Sequence, residues 1–148
     1  MMVLDCSAAV HIVRRTPEGE SFAWLMSLDQ ERVLAPGLFR VETANAFWKY
    51  VRSGNLEPGD ARRYVRAATA LVDEFLPIES LCAEALVEGM RLGHSVYDML
   101  YFVLARRSGA TLVTADRRLN DLCERTGVAC FHDMVRGKDG EWRLQSEG

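Results

Sequence analysis

Lysine is almost missing from this chain of 148 residues: only Lys49 and Lys138 carry ammonium groups. Neither falls at the end of a predicted strand, so lysine-dependent phosphoryl chemistry at a sheet edge finds no support. Histidine is scarce, at three residues, and the four cysteines (Cys6, Cys82, Cys123, Cys130) show no C-x-x-C spacing. An ordinary zinc site is therefore not expected. The thiols read as reduced and mostly buried, in a cytoplasmic protein. Positive charge is not in excess either. At a net charge of −3 there is no broad basic field, and any nucleic-acid contact has to be local or metal-assisted. Long apolar runs are lacking too: MLYFVLA falls far short of the ~20 residues of a membrane span. No basic stretch precedes an apolar one at the start, and Asp5 interrupts that start, so no signal peptide is expected. There is no internal repeat and no low-complexity segment.

What is present suffices for one globular domain. Apolar residues make up 49% of the chain and charged residues 26%. At this length roughly 68–70% of the unfolded surface can be buried. The most informative stretch covers 95–116, SVYDMLYFVLARRSGATLVTAD. Val96, Met99, Leu100, Val103 and Leu104 recur at helical spacing. Arg106 and Arg107 suit the last turn of that helix, and Gly109 suits its left-handed stop. ATLVT then reads as a buried strand. Ahead of this unit, VLD is a short strand, and Ser7 is expected to cap a helix over 8–14. TPEGE reads as a break. A helix follows over 21–30, with Phe22, Leu25 and Met26 inward. RVLAP is a strand stopped by Pro36, and 38–51 is a strong helix. Pro58 opens another helix, with Tyr64, Ala67, Ala68 and Leu71 on one side and Arg62, Arg63 and Arg66 toward the other. EFLPIE is a strand whose Pro77 argues for an edge position. A helix over 80–91 shows Leu81, Ala85, Leu86 and Met90 in period. After Asp116 come a short helix over 118–126, ended by Gly127, and a last strand, VACF. This alternation predicts an α/β fold with a mostly parallel sheet and helices on both faces. Residues 1–134 are expected to form the domain and 135–148 a polar tail.

Four acids fall at one edge of that sheet. Asp5 and Asp116 end two strands. Glu42 sits near the start of the helix after the second strand, and Asp98 begins the helix that feeds the strand ending at Asp116. Ligands of open α/β sheets bind outside the carboxyl ends of strands. Each acid has an ordinary explanation when taken alone. Ser95-x-x-Asp98 fits a capping box, Asp5 and Asp116 suit cap or turn positions, and Glu42 suits a solvated helix face. Together they differ, because converging carboxylates repel and raise one another's pKa. A hard divalent cation is the economical compensation. Carboxylate oxygens plus water suit Mg²⁺ or Mn²⁺, and such sites drive phosphodiester displacement.

LDCSA, VETANAF with Glu42, VYDMLYFVLA with Asp98, and TLVTADRRL with Thr114 and Asp116 resemble, in order from Val3 to about Cys130, the PIN-domain ribonucleases. They are most similar to the VapC-type toxins of bacterial toxin–antitoxin pairs. The resemblance implies a three-layer α/β/α sandwich, a Mg²⁺- or Mn²⁺-dependent endoribonuclease, a homodimer, and neutralisation by a small antitoxin protein. By position it makes Asp5, Glu42, Asp98 and Asp116 the catalytic, metal-binding acids, with Asp5 and Asp98 as the most constant direct ligands and Glu42 acting through water or shifting with metal occupancy. Ser7 would support Asp5, Thr114 would orient Asp116 or a water, and Asn45 would hold Glu42 or substrate. Cys6 stands where the family commonly has a small hydroxyl residue; its side chain is expected to point away from Asp5. Asp121 reads as solvated. Arg40, Arg117 and Arg118 are nearest the edge for RNA phosphates, although solvation or antitoxin contact explains them equally. His11 and His94 read as structural. Phe47, Trp48 and Tyr50 read as core or dimer surface. The helix with Phe22, Trp24 and Leu25 is a candidate dimer or antitoxin contact. Two other functions compete. A metal-dependent phosphatase would need a lysine at the pocket, and a catalytically inert PIN-like interaction module would have little reason to keep all four acids.

Overall fold

Three apolar residues, Met2–Leu4 (β1), form the central strand of a five-stranded sheet and are buried throughout. A strand covered on both faces has no polar side to show water, so it reads as a continuous apolar run. The computed structural model describes residues 1–28, 30–131, 134–136, 138–139 and 142–144. After β1 come Cys6–Arg14 (α1), Pro17–Leu28 (α2), Val33–Pro36 (β2), Leu38–Arg52 (α3) and Pro58–Thr69 (α4). Glu74–Leu76 (β3) leads through a single 3-10 turn, Ile78–Ser80, to Cys82–Leu92 (α5), Val96–Ser108 (α6), Thr111–Val113 (β4), Arg117–Thr126 (α7) and Cys130–Phe131 (β5). The strand order is β3-β2-β1-β4-β5 with every pairing parallel. Val3 pairs with Leu34 on one side and Leu112 on the other. Helices flank this sheet in the expected α/β/α arrangement. Helix α6 lies across β1, β2 and β4, with Met99 through Ala105 all buried. β3 is the expected edge strand, and Pro77 falls just beyond it.

Several local expectations need correction. TPEGE is not a break. Thr16 Oγ1 accepts a hydrogen bond from Gly19 N at 3.0 Å, and Pro17 occupies the first helical position, where its missing N–H costs nothing. Gly19 is a packing residue: a Cβ there would lie 2.0 Å from the His11 carbonyl oxygen. Only glycine lets α2 cross α1 so closely. Ser7 does not cap α1; the helix begins at Cys6, with Asp5 at the cap position and no side-chain cap bond. Leu86 and Met90 are exposed, whereas Glu88 is buried. Glu88 pairs with Arg91 and Arg106, and Glu84 with Arg106 and Arg107, so an ion-pair network ties α5 to α6 beside the buried Ala85. Phe22 is fully buried and meets Phe131 edge-on with 6.1 Å between ring centroids; it belongs to the core and is not available to a partner. Cys82 is exposed, while Cys6 and Cys123 are buried.

Part of the expected polar tail lies outside the described residues. Met134–Arg136 (β6), which straddles the expected start of the tail, and Trp142–Leu144 (β7) pair antiparallel as a separate two-stranded ladder.

Candidate active site

β1 is followed in the chain by β2 on one side of it, while its other neighbour, β4, arrives much later. That reversal is the switch point at which open α/β sheets form crevices. Asp5 directly follows β1, and Asp116 lies three residues beyond β4. Glu42 lies in the second turn of α3, the helix leaving β2. α6 runs back against the strands before β4, so its first turn, with Asp98, returns to the same edge. A cleft of about 760 Å³ opens there, and Asp5, Glu42, Asp98 and Asp116 all line it. The sequence-predicted acids are therefore brought together.

Asp5 is 8% exposed. Its Oδ2 accepts hydrogen bonds from Thr114 Oγ1 at 2.5 Å and from Ser7 Oγ at 2.8 Å. Burial raises the Asp5 pKa, these two bonds oppose the rise, and the Asp98 charge adds to it. Ser7 Oγ also accepts from Ala115 N at 3.0 Å, and Thr114 Oγ1 from Asp116 N at 3.1 Å. Two hydroxyls thus tie the ends of β1 and β4 together and fix Asp5 between them. Ser7 supports Asp5 as expected. Thr114 orients Asp5 rather than the Asp116 carboxylate, because it lies just past β4, where the strand alternation no longer applies.

Glu42 is held by a group that the sequence reasoning missed. The Tyr101 hydroxyl, 1% exposed, donates to Glu42 Oε1 at 2.6 Å. The available signal was spacing: Asp98 and Tyr101 are three apart on α6 and share a face. Burial raises the Glu42 pKa to about 7; the Tyr101 bond lowers it, and the Asp5 and Asp98 charges raise it. Burial likewise pushes the Tyr101 phenol upward, so it stays a donor. Tyr101→Phe is expected to cost about 1–2 kcal/mol, read as a lower urea midpoint at unchanged slope. The Glu42 carboxyl should then titrate still higher by NMR. Unchanged values of both would mean that the bond does not form in solution.

Asp98 is half-buried, and its pKa is raised first by burial and then by the Asp116 charge, against lowering by a Ser95 hydrogen bond and by His94 and Arg118. Ser95 Oγ accepts from Asp98 N at 3.2 Å, so the cap of α6 is real. Asp116 caps α7, its Oδ1 accepting from Arg118 N at 2.9 Å. Both acids thus sit at helix caps and line the cleft at once.

None of the four acids forms an ion pair among the described residues. An all-oxygen donor set in which Asp5, Glu42 and Asp98 are shifted upward suits a hard divalent cation. The set is open: among the described residues, no three Asp, Glu, His or Cys side chains stand close enough together to hold a metal ion by themselves. Mg²⁺, which keeps several of its waters, tolerates that openness.

The remaining candidates are dispersed. Asn45 is exposed and lines the cleft but makes no bond to Glu42, whose partner is Tyr101. Arg40 lies off the cleft, its guanidinium 4.0 Å from the centre of the Phe75 ring. Arg117 and Arg118 are exposed and do not line it, although Arg118 is near enough to act on Asp98. Cys6 also lines the cleft; its thiol accepts from Thr43 Oγ1 at 3.6 Å and is pushed up to about 12 by burial. His11 lines the cleft as well, with its Nδ1 2.7 Å from Thr16 Oγ1. Asp121 is exposed. Lys49, expected away from the pocket, lines it together with Arg52, so a missing lysine is no argument against phosphatase chemistry.

Three comparisons bear on this geometry. The model of the PIN domain matches residues 2–125. Ribonuclease VapC12 of Mycobacterium tuberculosis is 33% identical over 119 residues, covering 80% of this chain and 89% of that one. The crystal structure of PAE2754 from Pyrobaculum aerophilum superposes with a TM-score of 0.67 at 26% identity, over 87% of this chain and 81% of that one. The Mycobacterium tuberculosis toxin VapC20, which cleaves the sarcin–ricin loop, shares the fold at a TM-score of 0.55 and 17% identity, over 82% and 95% of the two chains.

Proposed function

The chain belongs to the PIN-domain family, and from that membership we propose that it is a Mg²⁺- or Mn²⁺-dependent endoribonuclease, the toxin of a toxin–antitoxin pair. The observation that carries this reading is the convergence of four carboxylates, distant in sequence and without an ion pair among the described residues, on one cleft at the switch point of a parallel sheet. Relatedness to a VapC ribonuclease supports it over the phosphatase and the inert module. Residues 1–134 form the nuclease domain. RNA and a cognate antitoxin are its partners, and it acts as a cytoplasmic homodimer. No helix among the described residues is long and apolar enough to cross a membrane.

Asp5, Glu42, Asp98 and Asp116 would hold the cation through their carboxylate oxygens. When bound, such an ion polarises a phosphoryl oxygen and makes water a stronger acid. The chain's own residues set the geometry for this. Thr114 and Ser7 clamp Asp5 by one oxygen, so its orientation is fixed before substrate arrives. Tyr101 clamps Glu42 by Oε1, leaving Oε2 to accept a hydrogen bond from water. Asp116 caps α7 with Oδ1, which leaves Oδ2 for the cleft. Asn45, at the cleft wall, offers amide hydrogens to substrate. Pre-positioned groups of this kind contribute because they need no reorganisation during the reaction.

The test is cleavage of a labelled single-stranded RNA by the purified chain. Cleavage is expected with Mg²⁺ or Mn²⁺, is expected to vanish in EDTA, and is expected to vanish in Asp5→Asn. RNA left intact while p-nitrophenyl phosphate is hydrolysed would favour the phosphatase. Failure to bind Mn²⁺ in calorimetry would favour the inert module.

A further inference from the structure

The cleft is longer than the cluster of acids. It continues along α3 from Glu42 past Asn45 and Lys49 to Arg52, with Asn55 at its far wall. Ten residues separate Glu42 from Arg52, roughly 15 Å along a helix axis. The character of the wall changes over that length, from carboxylates at one end to cations at the other. Lys49 is one of two lysines in the chain. Neither Lys49 nor Arg52 has a carboxylate partner among the described residues, whereas Arg91, Arg106 and Arg107 on α5 and α6 are all committed to Glu84 or Glu88. Both cleft cations are exposed. The Arg52 guanidinium rests 4.8 Å from the centre of the Trp48 ring, which limits its freedom and lowers the entropy lost when it binds an anion. Cations in a last helical turn also suit the helix dipole. That explains why they occur in the last turns of α3, but not why both line the cleft.

Resting on the endoribonuclease reading, we propose that Lys49 and Arg52 form a phosphate track, carrying the RNA backbone on one side of the scissile bond away from the carboxylates. The substrate thus enters along α3 and not across Arg40, Arg117 and Arg118. The track contacts phosphates, so it sets affinity and register rather than base sequence.

The experiment uses full-length Asp98→Asn protein in Mg²⁺, so that RNA binds without being cut. Fluorescence anisotropy of a labelled single-stranded RNA is followed across a salt series. Adding Lys49→Gln/Arg52→Gln is expected to weaken binding at least about tenfold at low salt. Two lost phosphate contacts should also flatten the slope of log K against log[salt] by roughly 1.4. Arg62→Gln/Arg66→Gln removes the same charge from a separate groove between α3 and α4 and is expected to leave the slope in place. Both pairs are exposed, and circular dichroism checks that the fold is kept. If Lys49→Gln/Arg52→Gln keeps the parent slope and affinity, the track is overturned while the nuclease reading stands, and these cations fall to an acidic segment of a protein partner. If Asp98→Asn binds no RNA and the wild-type chain cuts none, both fail together.

Discussion

Asp98→Asn is expected to lower RNA cleavage by about 10²–10³-fold or more while leaving the metal-free protein as stable as the parent, or more so. The two explanations of this residue predict different outcomes. As a first-turn acid, Asp98 stabilises α6 by roughly 0.3–1 kcal/mol. The cap itself does not depend on its carboxylate, because Ser95 Oγ accepts from the backbone N–H of residue 98, which asparagine keeps. As a member of the cluster, Asp98 is repelled by Asp116 and adds to the charge that Asp5 and Glu42 feel. Neutralising it relieves three unfavourable interactions, which offsets the loss at the dipole. Sites assembled for function commonly carry such a stability cost. Thermal melts in EDTA beside cleavage assays in Mg²⁺ read both quantities. A variant slightly less stable than the parent and fully active would make Asp98 a helix-capping acid and nothing more.

What could be read from the chain alone was whatever local chemistry decides. The helix from Val96 to Ser108 was visible because its cap (Ser95), its apolar period and its stop (Gly109) are all written within one stretch. Asp5 and Asp116 were placed correctly because strand ends follow from apolar runs, and the parallel order follows from alternation. The failures have a tertiary cause. Gly19 looks like a helix breaker until α1 is laid against α2, where its missing Cβ is the requirement. Leu86 and Met90 keep helical period yet face out, while Glu84 and Glu88 tie α5 to α6 through Arg106 and Arg107 beside the buried Ala85. Tyr101 reads as one more apolar position of a buried helix. That its hydroxyl meets Glu42, fifty-nine residues away in sequence, is a product of the strand order. Lys49 follows no strand, and only the extension of the cleft along a helix brings it to the site.

The metal-free protein should lose stability as pH rises from about 4.5 through 7, and Mg²⁺ should restore it mainly above that range. Burial holds the Glu42 carboxyl at about 7 and raises Asp5 and Asp98 in the same direction. Between the unfolded and the folded pKa, the native state therefore keeps protons that the unfolded chain has released. The unfolding free energy then falls with pH, the reverse of a carboxylate held in a salt bridge. The contribution is fully present below the unfolded pKa and gone above the folded one. A divalent cation has to displace these protons, so its affinity climbs over the same interval. From pH 5.5 to 7, the Glu42 proton alone accounts for at most about 2 kcal/mol, less for the part of that side chain that water screens. At pH 8 and a hundredfold excess over Kd, bound Mg²⁺ adds about 2.7 kcal/mol, a rise in Tm of roughly 5–10 °C for a chain of this length. At pH 5.5 the same concentration should move Tm much less. Calorimetric melts at the two pH values, with and without Mg²⁺, decide the matter: equal shifts at both would mean that the ion does not compete for the protons of Asp5, Glu42 and Asp98, and so does not occupy their cleft.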